Sequence, residues 1–337
     1  MKFLLKVSYN QLDSTDSLPK FSSYAKAHGW KLLVLCSVLI YGSHSVLLNL
    51  CKDETGVIPF NSAAVVLLTE LTKLMLSLAL LIPELLAQRR AGIRESDRML
   101  PVRDSWVFAL PALFYAVNNN LVVCIQHYMD PASFEVLSKI KIAITAILYR
   151  VVLKNQLSTK QWLAIAVLFI GSMCNSFGAI ASRQSLRASP SEVYITLSGL
   201  LMLLAYCTIS GMAGIYTEYI LKKQKQVSLS QQNAYIYMYG IAFNFIGYIM
   251  TTSSDQNVGF FHGFNQWTLV VILTQAVNGL IQAFLMKHGN SIIRLFIIAT
   301  AMLVATVLSV LVFSLQLNSF FYTAFISMAF ALWLYHG

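Results

Sequence analysis

Lys141 is an ammonium group set in an apolar run, 131–152, that also holds Glu135 and Lys139. Glu135 and Lys139 are four residues apart and can pair along one helical face, which leaves Lys141 over. Phe134, Ser138, Lys141 and Thr145 recur at helical spacing. One face therefore carries an aromatic ring, two hydroxyls and a cation. Such a face suits the lining of a cavity that accepts an anion. The alternative is that Lys141 neutralises an interior carboxylate such as Glu70. Glu70 stands three residues before Lys73, flanked by Thr69 and Thr72. That spacing favours an intrahelical pair over a direct ligand contact.

Other polar groups interrupt apolar runs in the same way. Tyr115 is followed by Asn118, Asn119 and Asn120, whose side chains point around most of a helix. They fit either a helix–helix hydrogen bond or a polar cavity. Asn233, Tyr237 and Asn244 form a stripe at spacings of four and seven. Its amides and phenol could read a base or sugar, or knit neighbouring helices together. Ser210, Gly211 and Gly214 give one small-residue surface for close helix approach, and Ala301 and Ala305 give another. Arg294 either faces the interior or snorkels to the interface.

No nucleophile elbow, paired catalytic acids, HExxH or phosphate-binding P-loop is present. His44, His127, His262 and His288 are dispersed, and the five cysteines lack metal-ligand spacing. Neither an enzyme activity nor a metal or other cofactor is expected.

The elements that carry these residues follow from composition. Hydrophobic residues make up 57% of the 337-residue chain and charged residues 11%, against roughly 45–50% and 25% in a soluble domain. A bilayer core takes about 20 apolar residues per helix. Candidate spans are 31–51, 60–86, 105–127, 131–152, 160–181, 194–218, 233–252, 267–286, 291–314 and 318–336. Lys141 then lies about ten residues into the fourth, ~15 Å deep. Each ionisable group there costs at least ~2.5–3.5 kcal/mol, so it needs a partner or a cavity. The Arg-rich linker 87–104 suits a solvated cytosolic loop. The first thirty residues lack an apolar h-region and form a cytosolic tail, so the first span is expected to be an uncleaved anchor.

The formal charge of +10 is explained by topology. With the N-terminus in the cytosol, eighteen Lys and Arg fall on the cytosolic side. Lys52, Arg183 and Arg187 lie opposite, and Lys73, Lys139 and Lys141 lie within spans. This is a positive-inside bias, not a nucleic-acid footprint, and an even number of spans returns the C-terminus to the cytosol. Ten spans divide into halves at about 31–181 and 194–336. Ala116-Val117-Asn118 in the third span is echoed by Ala276-Val277-Asn278 in the eighth. Five is odd, so the halves are inverted, a common plan of secondary transporters. The fold expected is an all-α membrane protein of ten transmembrane helices in a 5+5 inverted repeat.

Six segments carry a family resemblance: LLTELTKLMLS at 67–77, YAVNNNL at 115–121, FEVLSKIKI at 134–142, SGMAGIYTE at 210–218, QNAYIYMYG at 232–240 and KHGNSIIRLF at 287–296. In this order and spacing the chain resembles the nucleotide-sugar transporters of solute carrier family 35, subfamily A, within the drug/metabolite transporter superfamily. The similarity covers all ten spans and misses only the first ~25 residues.

The resemblance implies a Golgi antiporter with cytosolic termini and a lipid bilayer around it. It would exchange a cytosolic pyrimidine nucleotide sugar (a UDP-sugar, CMP-sialic acid or a CDP-linked polyol) for lumenal nucleoside monophosphate. A non-transporting scaffold of the same fold, and a carrier of another organic anion, are the alternatives, and association with itself or related transporters is open. By the same resemblance Tyr115 and Asn119 help hold the nucleotide, and Lys141 contacts phosphate. Ser210, Asn233 and Tyr237 line the opposite wall. Arg294 stands where related members carry a second phosphate-contacting Lys, and its planar fork can grip two oxygens at once. Phe134 stands where CMP-sialic acid transporters have Tyr, which removes a hydroxyl and keeps a stacking surface.

Overall fold

The computed structural model describes residues 20–53, 58–91, 100–125, 127–184, 194–224, 227–252, 259–313 and 317–336. Residues 1–19 of the expected N-terminal tail, residues 92–99 of the linker 87–104, and Arg187 and Lys225 lie outside them. The helices are α1 (Lys20–Leu50), α2 (Ser62–Arg90), α3 (Ala109–Ile125), α4 (Pro131–Leu137), α5 (Ile140–Val152) and α6 (Thr159–Gln184). They continue with α7 (Leu197–Lys223), α8 (Leu229–Thr252), α9 (Gln266–His288), α10 (Ser291–Phe313) and α11 (Ser319–His336), and a 3₁₀ turn, Val102–Phe108, precedes α3. Among the described residues there is no strand, only an isolated antiparallel bridge between Met129 and Ile195. Among the described residues six helices are long and apolar enough to cross a bilayer: the Gly29–Leu50 part of α1, α2, the Thr159–Ser182 part of α6, α7, α9 and α10. The protein is therefore a multi-pass, all-helical membrane protein.

The expected span 131–152 is a departure. It is two helices, α4 and α5, joined through Ser138 and Lys139. Both residues keep right-handed helical dihedrals, but the hydrogen bonds tighten. Lys139 N–H donates to Val136, Lys141 N–H to Ser138 and Ile142 N–H to Lys139, at 3.1, 3.2 and 2.9 Å. These are three-residue steps, so a 3₁₀ turn interrupts the α-helix. No Gly or Pro marks it in the sequence. The expected span 105–127 also begins as the 3₁₀ turn before α3.

Helix starts follow the sequence closely. Each begins with backbone N–H groups that have no intrahelical acceptor, a serious deficit where water is excluded. Asn61 accepts from Ala63 and Ala64, Asp130 from Ser133, Asn265 from Thr268, Asn290 from Ile293 and Asn318 from Phe321. Ser158 and Gln161 form a reciprocal capping box. Pro131, which has no N–H to satisfy, opens α4.

The chain divides into two compact units. The first holds residues up to Val46, Leu121–Ile215, and those from His288 onward; the second holds Leu47–Asn120 and Tyr216–Lys287. In the first unit α6 and α11 pack closely: Gly171 faces Ser327, and the Asn318 amide donates to Gly178 O and Ser182 Oγ at 2.6 and 3.0 Å. The loop before α7 is tied to the loop before α4. Asp130 N–H donates to Tyr194 O, Thr196 N–H and Oγ1 donate to Tyr128 O, and the Asp130 carboxylate accepts from Tyr194 N–H. In the second unit a cluster around Phe108, Leu221, Tyr235, Tyr237 and Met286 fills one region. A second cluster gathers on Cys51, Phe60, Val65, Val271 and Ile272.

The small-residue surface expected at Ala301 is matched by Gly42 of α1. A Cβ on Gly42 would lie 2.8 Å from the Ala301 carbonyl oxygen and 2.9 Å from Val304. Nothing lies within 4 Å of the same position on Gly29. Gly42→Ala is expected to lower the detergent melting temperature by several degrees, through overpacking of about 1–3 kcal/mol. Gly29→Ala on the same helix should leave it unchanged or raise it. Equal melting curves for the two variants would refute the contact.

Candidate functional site

The seven residues singled out above fall on both units: Lys141, Ser210 and Arg294 on the first, and Tyr115, Asn119, Asn233 and Tyr237 on the second.

In the first unit Lys141 occupies the first turn of α5, directly after the 3₁₀ turn, and Arg294 the first turn of α10. The two cations are within electrostatic reach of one another. The other charged or ionisable groups acting on Lys141 are Tyr41 of α1 and Tyr206 and Cys207 of α7. Among the described residues no carboxylate pairs with it. Glu70, the interior carboxylate that could have neutralised it, is paired with Lys73.

Glycines on α7 let these helices meet. A Cβ on Gly211 would lie 3.2 Å from Thr145 Oγ1, and one on Gly214 3.3 Å from Arg294 Nη1. The guanidinium thus lies over Gly214, one turn from the half-buried Ser210. Cys207 Sγ points to the Ser138 carbonyl at 3.7 Å, and the Phe134 and Tyr206 rings tilt together with centroids 5.4 Å apart. The α4–α5 junction is thereby fastened to α7.

In the second unit the Glu70–Lys73 pair forms as its spacing anticipated. It is no isolated surface pair. Lys73 Nζ sits 4.8 Å from the Tyr237 ring centroid, a cation–π contact. Glu70 and Tyr115 both act electrostatically on Tyr237. Gly240 makes room for the Glu70 carboxylate and Gly279 for the Lys73 stem. Asn233, one turn before Tyr237, is buried, and its Oδ1 has no hydrogen-bond partner among the described residues.

The three amides of α3 separate. Asn120 Nδ2 donates back to Ala116 O and lies against Gly247, whereas Asn119 is exposed. Asn118 Oδ1 is buried without a partner among the described residues. On α8, Asn244 Nδ2 bonds Gly240 O, a local role.

Sequence reasoning passed over Tyr206 and Tyr41, named Asn118 only as one of three consecutive amides, and favoured a structural pair for Glu70 and Lys73. The spacing Tyr206, Ser210, Gly214, four residues each, was a signal for Tyr206. Nothing in the sequence singles out Tyr41.

The Glu70–Lys73 pair gives a clean test of charge balance. Its side chains are each 14% exposed. Removing one partner of such a pair strands a charge, while replacing both by apolar groups need not destabilise. Glu70→Leu and Lys73→Met singly are expected to reduce yield of folded protein and melting temperature sharply. The double variant should recover most of both. Additive losses in the double variant would show that the two side chains do not act as a pair.

Comparison with known proteins adds the family. A sequence model described as nucleotide-sugar transporter matches residues 26–336. The probable UDP-sugar transporter protein SLC35A4 of Xenopus tropicalis is 43% identical over 312 residues, covering 91% of this chain and 92% of that one. Its counterparts in Danio rerio and Homo sapiens are 40% and 39% identical, covering 96% and 91% of this chain and 98% and 94% of theirs. These relatives are named as the fourth member of the subfamily to which the sequence motifs pointed. A crystal structure of a protein only 14% identical shares the fold, with a TM-score of 0.63 over 90% of this chain and 96% of that one. The chain belongs to the nucleotide-sugar transporter family.

Proposed function

We propose that the protein is an antiporter that carries a cytosolic pyrimidine nucleotide sugar into the Golgi lumen and returns the nucleoside monophosphate. The relatives' names make a UDP-sugar the first choice. The observation that carries this reading is Lys141: an ammonium in the first turn of α5, within electrostatic reach of the like charge of Arg294, with no carboxylate partner among the described residues. A cation so placed is costly in a membrane protein unless an anion visits it. A nucleotide phosphate supplies that anion and fits a guanidinium's planar fork.

The roles of the remaining residues follow from their chemistry. Ser210 offers a hydroxyl one turn from the Arg294 guanidinium. Asn233, whose buried carbonyl oxygen has no partner among the described residues, and Tyr237 supply an amide and a phenol for a base or ribose, and Tyr115 and Asn119 supply further polar contacts. In this reading ten spans form a 5+5 inverted repeat with α4 and α5 together as the fourth. Both termini are cytosolic, and alternating access moves the site from one side to the other.

The test is uptake of labelled UDP-, CMP- and GDP-sugars into proteoliposomes, with UMP, CMP or GMP trapped inside. Uptake of a pyrimidine nucleotide sugar should accelerate with the matching trapped monophosphate. Lys141→Ala should reduce it to the level of protein-free vesicles while the protein stays folded, and Arg294→Lys should retain a measurable part. Full exchange by Lys141→Ala would end the phosphate assignment. Absence of exchange with every donor would favour a non-transporting scaffold.

A further inference from the structure

We infer that Tyr206 is a further ligand contact, its phenol hydroxyl donating to the same nucleotide phosphate that Lys141 is proposed to hold. This rests on the transport reading above and adds a residue to it.

Tyr206 lies on α7 and is only 8% exposed, within an apolar cluster with Ile125, Met129, Leu203 and Cys207. Phe134 of α4 packs on its ring at 5.4 Å between centroids. Its hydroxyl has no hydrogen-bond partner among the described residues. The oxygen is not among the fully buried polar atoms, so the hydroxyl keeps open surface at which it can meet a ligand.

The position of the phenol suits it to that contact. Tyr206 acts electrostatically on Lys141, and the next residue, Cys207, bonds the Ser138 carbonyl three residues before Lys141 in the chain. Tyr206 is also four residues, one helical turn, before Ser210. A polyanion held by the ammonium would meet the O–H as a ready donor. Hydrogen bonds to charged acceptors are about twice as strong as neutral ones. The phosphate, which a nucleotide sugar and its monophosphate share, is the matching partner. The Phe134–Tyr206 contact fixes where the hydroxyl can reach.

The experiment uses full-length protein in proteoliposomes, with UMP inside and labelled UDP-sugar outside. Tyr206→Phe keeps the ring and its contact with Phe134. The KM for the UDP-sugar and for UMP should both rise about 10- to 100-fold, with the maximal rate within about twofold. A purely structural role would instead lower the amount of active protein and leave KM unchanged. In the double variant Phe134→Tyr/Tyr206→Phe, which returns a hydroxyl from the facing ring, at least part of the lost affinity should come back.

Unchanged KM values in Tyr206→Phe, with Lys141→Ala inactive, overturn the phenol contact and leave the transport reading standing. A rise in KM for the UDP-sugar alone also overturns it, since the phosphate is common to both. If Lys141→Ala retains full exchange, both readings fall together. Should Tyr206→Phe yield little protein, UMP-induced thermal stabilisation of what remains decides. The shift should shrink at any fixed UMP concentration, and a shift equal to wild type overturns the contact.

Discussion

Hydrocarbon offers a side chain or a peptide group nothing to bond with, and the organisation of this chain answers that deficit. Backbone groups inside helices satisfy one another. Those at helix starts do not, and an Asn, Asp, Ser or Thr stands at most of the described starts to accept the stray N–H groups. Charges obey the same rule by different means. Glu70 and Lys73 satisfy each other and share Tyr237 as a neighbour. Lys222 bonds the buried carboxylate of Glu218. Lys287 bonds the Val227 carbonyl and Gln232 Oε1. Lys141 departs from this pattern, because phenols, a thiol and another cation surround it. Local imbalance of that kind is how a carrier can hold an anion without first displacing an internal one.

Glycine and hydroxyl placement on α7 connects packing to that chemistry. Gly211 admits Thr145 and Gly214 admits the Arg294 guanidinium. A side chain at Gly211 would crowd Leu148 and Thr145 of α5, and one at Gly214 would displace the guanidinium from its place over α7. The small-residue surface read from the sequence as a helix–helix contact is therefore also what lets Arg294 lie against α7. Packing and the placement of the guanidinium draw on the same few residues, so they cannot be optimised separately.

Most of the helices could be read directly from the chain. Apolar runs of about 20 residues interrupted by Asn, Asp and Ser fix where helices begin, because membrane burial and capping write both signals into composition. The Glu70–Lys73 pair was legible for a related reason: charges three apart in an apolar run have few other options. The interruption at Ser138–Lys139 was not legible. Neither residue breaks a helix, and the junction's contacts with α7, through Phe134 and Cys207, come from residues distant in the chain. In the candidate site, Lys141 stood out because charge is rare at membrane depth. Tyr206 and Tyr41 did not, since an aromatic at helical spacing looks like core until it is seen to act on a cation such as Lys141. Asn118 was hidden by its neighbours: three consecutive amides do not reveal which one has a buried oxygen with no partner among the described residues.

The 3₁₀ turn between α4 and α5 has a mechanical meaning as well. A 3₁₀ step advances 120° and about 2.0 Å per residue, an α step 100° and about 1.5 Å. Relaxing a three-residue turn into α geometry would therefore swing Lys141 by about 60° around the helix axis and draw it in by about 1.5 Å. No backbone hydrogen bond need be lost, because each three-residue bond can be exchanged for a four-residue one. The segment is in effect a screw thread cut with two pitches, and the ammonium group sits just past the point where the pitch changes.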